Sequence, residues 1–115
     1  AILRGAFMDV SHIDGFSVRN ADMRNIRFFD MVVWFSDFTG SDMRYADFRN
    51  VEFDRTTLIE VDFESSIFDD VRFHHSDLTG ANLTAVSLVD VTWNDTICPD
   101  GTNSDNNGNT CENNL

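Results

Sequence analysis

The chain has 115 residues, with 20 Asp and Glu residues against 8 Arg, no Lys, and a formal net charge of −12. This length suits a single domain, and the negative charge disfavours binding to nucleic acid or anionic lipid and favours cationic partners. No apolar run approaches the roughly 18 residues of a transmembrane helix, so no membrane span is predicted.

A large apolar residue occupies every fifth position from Leu3 to Trp93 without a break. A second series lies two residues before the first and consists almost throughout of small or β-branched residues, from Ala1 to Val91. Both series are therefore expected to face a crowded interior. The first series is Leu3, Met8, Ile13, Val18, Met23, Phe28, Val33, Phe38, Met43, Phe48, Phe53, Leu58, Phe63, Phe68, Phe73, Leu78, Leu83, Leu88 and Trp93.

A period of five fits neither regular element of secondary structure. An α-helix turns about 100° per residue, so steps of five would scatter the large residues around its axis. Side chains of a straight strand alternate, so steps of five would put successive large residues on opposite faces. The pattern instead predicts short extended segments, each followed by a corner that absorbs the odd residue, so that the chain winds around its own core.

Several pentapeptides carry a more specific pattern: a small residue, Asp or Asn, a large apolar residue, a polar residue and often Gly. Clear examples are ADMRN (21–25), ADFRN (46–50), SDLTG (76–80) and ANLTA (81–85). This pattern resembles the pentapeptide-repeat family over residues 1–95, and residues 96–98 continue it weakly.

The resemblance implies an all-β fold, a right-handed quadrilateral β-helix with four pentapeptides and 20 residues per coil. The spacing of Asp22, Asp42, Asp62 and Asn82 agrees with that period. About five coils are expected over residues 1–97, followed by a C-terminal capping loop over residues 98–115. The large residues should stack as core ladders, with Phe28, Phe48 and Phe68 on one side and Phe53, Phe73 and Trp93 on another.

Residues 28–35, FFDMVVWF, depart from the rule that polar residues lie outside. The repeat directs Phe29, Val32, Trp34 and Phe35 outward, and a cluster of four exceeds the scattered apolar exposure of a typical monomer. Two interpretations stay open: another segment of the chain covers these residues, or they contact a protein partner or a second copy of the chain. In the second case Trp34 and Phe35 would be the anchors.

The tail after Trp93 is polar and contains Pro99 within a Pro-Asp-Gly turn signal. Cys98 and Cys111 flank a loop with almost no apolar side chains, and a disulfide between them would close that loop over the last coil. Two reduced thiols are the alternative. The disulfide, if formed, predicts an oxidising compartment, which means the periplasm, the cell exterior or a similar lumen.

The same loop has a spacing that is typical of calcium loops. Asn103, Asp105 and Asn107 occupy ligand positions one, three and five, followed by Gly108. Position one is Asn and position twelve is Asn114, where Asp and a bidentate Glu are expected. A capping loop whose Asn and Asp side chains make turns is the interpretation that we favour.

These features favour a non-enzymatic structural or protein-interaction module with no cofactor. No recognisable nucleophile setting, phosphate loop or zinc spacing occurs. His12, His74 and His75 are expected to be surface residues, and the pairs Asp22/Arg24, Asp42/Arg44 and Asp47/Arg49 are expected to be surface neighbours.

The resemblance also implies an alternative function. Some relatives are acidic DNA mimics that occupy the DNA-binding saddle of type II topoisomerases such as DNA gyrase. The short rod and the predicted disulfide, which would place the chain away from the cytoplasm, count against this alternative.

Overall fold

The structure of the protein is a computed structural model, and it describes residues 2–8 and 11–115. Ala1 lies outside the described residues, as does the side chain of Met8. The described secondary structure consists of strands and one short 3₁₀ turn. The elements are β1 (Phe7–Met8), β2 (His12–Asp14), β3 (Arg27–Trp34), β4 (Asp47–Asp54), β5 (Ile67–His74), β6 (Ser87–Val89), β7 (Thr92–Asn94) and the 3₁₀ turn η1 (Ser104–Asn106).

The strands pair in parallel at a constant register of 20 residues. Phe28 lies opposite Phe48, and Phe48 lies opposite Phe68. Isolated bridges continue the same register on the other sides of the coil, for example between Asp22 and Asp42 and between Asp42 and Asp62. The chain therefore forms the predicted solenoid, with nearly five coils over the described residues up to 98.

Each coil has four faces of five residues. We name them after the second coil: face one is 21–25, face two is 26–30, face three is 31–35 and face four is 36–40. Equivalent residues in the other coils differ by multiples of 20.

The fifth residue of each face forms the corner. Every described fifth position from Gly5 to Asp95 has a positive φ, such as 62° at Asn25 and 55° at Asp30. This left-handed conformation breaks the alternation of an extended strand, so the next face starts again with its first and third residues inward. The corner therefore absorbs the odd residue, as predicted from the period.

The core consists of the two inward series. Phe48 is fully buried, and its ring lies 5.4 Å from the rings of both Phe28 and Phe68. On face three, Phe73 stacks on Phe53 at 5.4 Å and on Trp93 at 4.8 Å. These two ladders agree with the sequence prediction, and their rings adopt the edge-to-face and stacked geometries that aromatic pairs prefer.

The small inward residues include buried hydroxyl groups that bond to the backbone. Ser41 Oγ accepts a hydrogen bond from the Ala21 N–H at 3.1 Å and donates to the Val18 carbonyl at 3.0 Å. The equivalent bond joins the Ala46 N–H to Ser66 Oγ at 3.1 Å. Because these hydroxyl groups have partners, they occupy the core without the cost of an unsatisfied polar group.

None of the described helical segments is long and apolar enough to cross a membrane.

Candidate partner-binding surface

Strand β3 carries apolar side chains on its outer side as well as its inner side. Met31 and Val33 point inward and are buried, so Val32 and Trp34 point outward from face three. Val32 is half-buried, Trp34 is 37% exposed, and the corner residue Phe35 is 54% exposed. We call Val32, Trp34 and Phe35 the aromatic surface.

Phe29, the fourth residue predicted to point outward, lies on a different face. It is half-buried on face two, and the corner residue Asp30 separates it along the chain from face three. The structure thus divides the predicted cluster of four between two faces, because a corner occurs after every fifth residue.

The two most exposed residues of the aromatic surface stack on each other. The ring centroids of Trp34 and Phe35 lie 5.3 Å apart at an interplanar angle of 25°. The edge of His12 meets Trp34 at 5.6 Å, and the Arg55 guanidinium lies 5.8 Å from the centre of the Phe35 ring. Such a preformed aromatic platform with polar groups at its margin is typical of protein contact surfaces.

Phe35 adopts a backbone conformation that is unfavourable for a bulky side chain. Its φ is +52°, in the left-handed region, where most of the described corners carry Gly, Asn or Asp; Tyr45, at +59°, is another corner with a bulky aromatic side chain. This region costs an L-residue about 1–2 kcal/mol, and Gly and Asn accept it most readily. The fold needs the conformation at every corner, but it does not need an aromatic ring there.

Carboxylates flank the aromatic surface along the ladders of face three. The register places Trp34 between Asp14 and Asp54. Asp54 Oδ1 accepts a hydrogen bond of 2.8 Å from Arg55 Nη1. The margin of the surface therefore contains charges of both signs.

The three histidines occupy the surface of face three and its corner, each with its own polar or aromatic neighbour. His74 Nε2 lies 3.3 Å from Glu52 Oε1, and His75 Nδ1 lies 2.8 Å from Asp95 Oδ2. Within residues 2–8 and 11–115, no group of three or more His, Cys, Asp or Glu side chains is arranged to hold a metal ion.

The predicted Asp/Arg neighbours form ion pairs on the solenoid surface. Arg24 Nη2 lies 2.9 Å from Asp22 Oδ2, and Arg44 Nη2 lies 2.7 Å from Asp42 Oδ2. Hydrogen bonds from Arg24 and then Arg4 hold the pKa of the Asp22 carboxyl group far below its usual value, and Arg44 lowers that of Asp42. These carboxylates stay ionised at neutral pH and form part of a solvated ladder, in which each pair contributes little stability.

The C-terminal loop is bonded to the last coil through a disulfide. Cys98 takes the inward position that follows Leu78 on face four, and it bonds Cys111 with a Cα–Cα distance of 5.3 Å. Both cysteines are fully buried. Ser104, in η1, accepts a hydrogen bond on Oγ from the Thr96 N–H at 3.1 Å, as the serine of a further coil would.

The residues of the calcium-like spacing make hydrogen bonds within the cap. Asn103 Oδ1 accepts from the Asp105 N–H at 2.9 Å, and Asp105 Oδ1 accepts from the Asp95 N–H at 2.9 Å. Asn107 Nδ2 donates to Thr102 Oγ1 at 2.7 Å. Their role in this structure is to make turns and cap the coil, and calcium binding stays a prediction.

Sequence reasoning missed other exposed apolar side chains. Tyr45 is 56% exposed at the corner between faces one and two, diagonally opposite the corner of Phe35. Leu115 is 51% exposed, and Val89 is 47% exposed on face two of the last coil. The position within the pentapeptide carried the signal for Tyr45 and Val89, because fourth and fifth positions point outward.

The geometry defines the class of the protein: a right-handed parallel β-helix with four-sided coils, built on a five-residue repeat. A family model described as pentapeptide repeats, with eight copies, matches residues 35–70, 46–84 and 58–92, which together span half of the chain. The chain belongs to the pentapeptide repeat family. Among curated protein sequences, none matches it significantly.

Several solved structures of pentapeptide repeat proteins are similar to this chain. HetL, involved in the regulation of heterocyst differentiation in the cyanobacterium Nostoc, is 17% identical, with a TM-score of 0.48; the match covers 89% of this chain and 55% of HetL. A protein of the Arabidopsis thaliana thylakoid lumen is 21% identical, with 76% and 71% of the two chains covered and a TM-score of 0.46. The plasmid-mediated fluoroquinolone resistance protein QnrB1 is 13% identical, with 80% and 60% covered and a TM-score of 0.38.

Proposed function

We propose that this pentapeptide repeat protein is a non-enzymatic interaction module that binds a protein partner through the aromatic surface. The observation that carries the proposal is the exposed stack of Trp34 and Phe35. Phe35 contributes to that stack in spite of its left-handed backbone. A Gly or Asn would suit the corner better, and the same holds for Tyr45. What distinguishes Phe35 is its stack on the exposed Trp34, and that pair is the surface that we assign to the partner.

Charge and the cap support two further parts of the proposal. The net charge of −12 favours a partner whose contact surface is cationic. The Cys98–Cys111 disulfide favours an oxidising location, which means the periplasm, the cell exterior or a similar lumen.

The test compares a Trp34→Ser/Phe35→Asn double variant with wild type and with a Tyr45→Ser control. The control removes an aromatic residue of similar exposure at the diagonally opposite corner. Each protein is used as bait in extract from its source, and bound proteins are identified by quantitative mass spectrometry. We expect the partner to be lost only from the double variant, with all three baits equally folded by circular dichroism. Equal recovery by the three baits would refute the proposal.

A second candidate function is that of an acidic DNA mimic that binds a type II topoisomerase. The observation in its favour is the charge distribution, because no Lys or Arg occurs after Arg72. Inhibition of gyrase supercoiling by the protein would support this candidate. The matched test compares the inhibition by the reduced protein with the inhibition by the oxidised protein.

A further inference from the structure

The last coil has an uncovered edge on faces one and two. Strand β6 pairs with β5 on one side, and no strand in the described part of the chain pairs with its other side. The capping loop covers the other half of the coil, where Ser104 bonds Thr96 and Asp105 bonds Asp95. We call residues 81–89 the open edge.

The open edge presents the unpaired backbone N–H and carbonyl groups of an edge strand. In the coil below, the Phe63 N–H donates to the Asn82 carbonyl at 2.8 Å, and the Val61 carbonyl accepts from the Asn82 N–H at 2.9 Å. The equivalent groups of the last coil have no such partner among the described residues. These groups are the N–H of Leu83 and Ala85 and the carbonyls of Ala81 and Val86. An unpaired edge of this kind is a template for strand addition.

The core ladders also end incompletely at this edge. Phe63 and Phe68 are fully buried, whereas Leu83, in the equivalent position above Phe63, is 7% exposed and Leu88 is only half-buried. An open depression of about 510 Å³ lies beside the edge and is lined by residues 80–84 and Leu115. A strand placed here would bury the ends of the ladders as well as pair the backbone, because burial of apolar area is favourable.

The charge of this end determines which strand fits. The chain after Arg72 contains six acidic residues and no Lys or Arg: Asp77, Asp90, Asp95, Asp100, Asp105 and Glu112. Asp90 forms the corner after the open edge, and Asp100 lies in the turn before Gly101, where its carboxylate accepts hydrogen bonds from Thr102 and Asn114. A second copy of the chain would bring the same negative charges to the contact, so self-association through this edge is electrostatically unfavourable.

We propose that the open edge binds an extended, positively charged segment of a partner protein, which adds a parallel strand to the last coil. The register fixes the pattern of that segment. Residues above Ala81 and Leu83 point inward and are small and large, while residues above Asn82 and Thr84 point outward and carry the positive charges. This site is separate from the aromatic surface, which lies three coils away on face three.

Three synthetic peptides test the proposal on the full, oxidised chain. The first, Ala-Arg-Leu-Arg-Asn-Ala-Arg-Leu-Arg, continues the repeat with Arg at its outward positions. The second replaces every Arg with Glu, and the third has the composition of the first in an order without the alternation. Backbone NMR and amide hydrogen exchange report binding, with the N–H groups of Leu83 and Ala85 as direct probes and that of Phe63 as the internal control.

We expect the first peptide to slow amide exchange at Leu83 and Ala85 at least tenfold. The slowing caused by each of the other two peptides should be at least tenfold smaller. Asp90→Asn should weaken binding severalfold, whereas Asp30→Asn, at the same corner three coils away, should not. Equal binding of the acidic or the reordered peptide would overturn the proposal, as would the absence of any protection. Protection that rises with protein concentration and needs no peptide would instead identify a second copy as the occupant. The aromatic surface plays no part in this assay. If the peptides do not bind the open edge, the proposed function is unaffected, and if the proposed function is refuted, peptide binding at the open edge is unaffected.

Discussion

Reduction of the Cys98–Cys111 disulfide should loosen the cap and leave the middle of the solenoid intact. The bond closes a loop with a sequence separation of 13 residues. In the chain-entropy model, a loop of this length corresponds to about 3 kcal/mol of stability at 25 °C. Because each coil contacts only its neighbours, the loss should be confined to the cap and the last coil.

The hydrogen bonds between the cap and the coil provide the assay. The Ser104 N–H donates to the Thr96 carbonyl at 2.8 Å, and the Thr96 N–H donates to Ser104 Oγ at 3.1 Å. A loss of about 3 kcal/mol corresponds to faster exchange at these two amides by roughly a hundredfold. The Met43 N–H, which donates to the Asp62 carbonyl two coils below the cap, serves as the control.

The matched variant is Cys98→Ala/Cys111→Ala, which should behave like the reduced protein and show no further change when a reductant is added. Unchanged exchange at Thr96 and Ser104 after reduction would refute the reasoning, because it would mean that the hydrogen bonds alone hold the cap. If exchange at Met43 accelerates equally, the expectation that the loss is confined to the cap and the last coil is refuted, because the solenoid would then unfold as one unit.

Three further predictions concern the core, the surface charges and the cap. Phe48→Ala should lower the free energy of unfolding, measured by urea titration, by about 3–5 kcal/mol, because the Phe48 ring contacts four other rings. Phe16→Ala, at a partly exposed position, should lower it by less than about 2 kcal/mol. Equal losses for the two variants would contradict the packing of the core. The pKa values of Asp22 and Asp42 are lowered in the folded state, so their contribution is present above about pH 4 and is lost as the pH falls through the folded pKa values. The melting temperature should therefore decrease in that direction, and less so for Asp42→Asn. Millimolar calcium should leave the melting temperature unchanged, because Asn103 and Asp105 already bond the backbone; a rise that a chelator reverses would establish the calcium loop.

The sequence predicted most of the fold because a strict five-residue period excludes both a helix and a straight strand and requires a corner after each short extended segment. The inward positions of Phe48 and Ser41 follow directly from the five-residue phase, and the 20-residue register follows from the family resemblance and the recurring Asp22, Asp42 and Asp62. The same phase placed Trp34 and Phe35 outside. These features depend on the local spacing of residues, which can be taken directly from the sequence.

Features that depend on contacts across the chain were less accessible. The stacking of Trp34 on Phe35 requires a particular corner geometry. Phe29 was predicted to belong to the same outward cluster, although the corner at Asp30 separates it along the chain from the other three residues. The use of Ser104 as a substitute for the next coil could not be read from the tail, because its separation of eight residues from Thr96 does not follow the repeat. The open edge is likewise a property of where the cap lies rather than of any motif.

The constant register has a consequence for the distance between the aromatic surface and the open edge. A copy of residues 41–60 inserted after Glu60 would continue every ladder in phase and would move the two surfaces apart by one strand spacing, about 4.8 Å. Insertion of any number of residues other than a multiple of 20 would rotate one surface relative to the other or disrupt the core. The length of this solenoid can therefore change only in steps of one coil, and at each step the two surfaces keep their relative orientation.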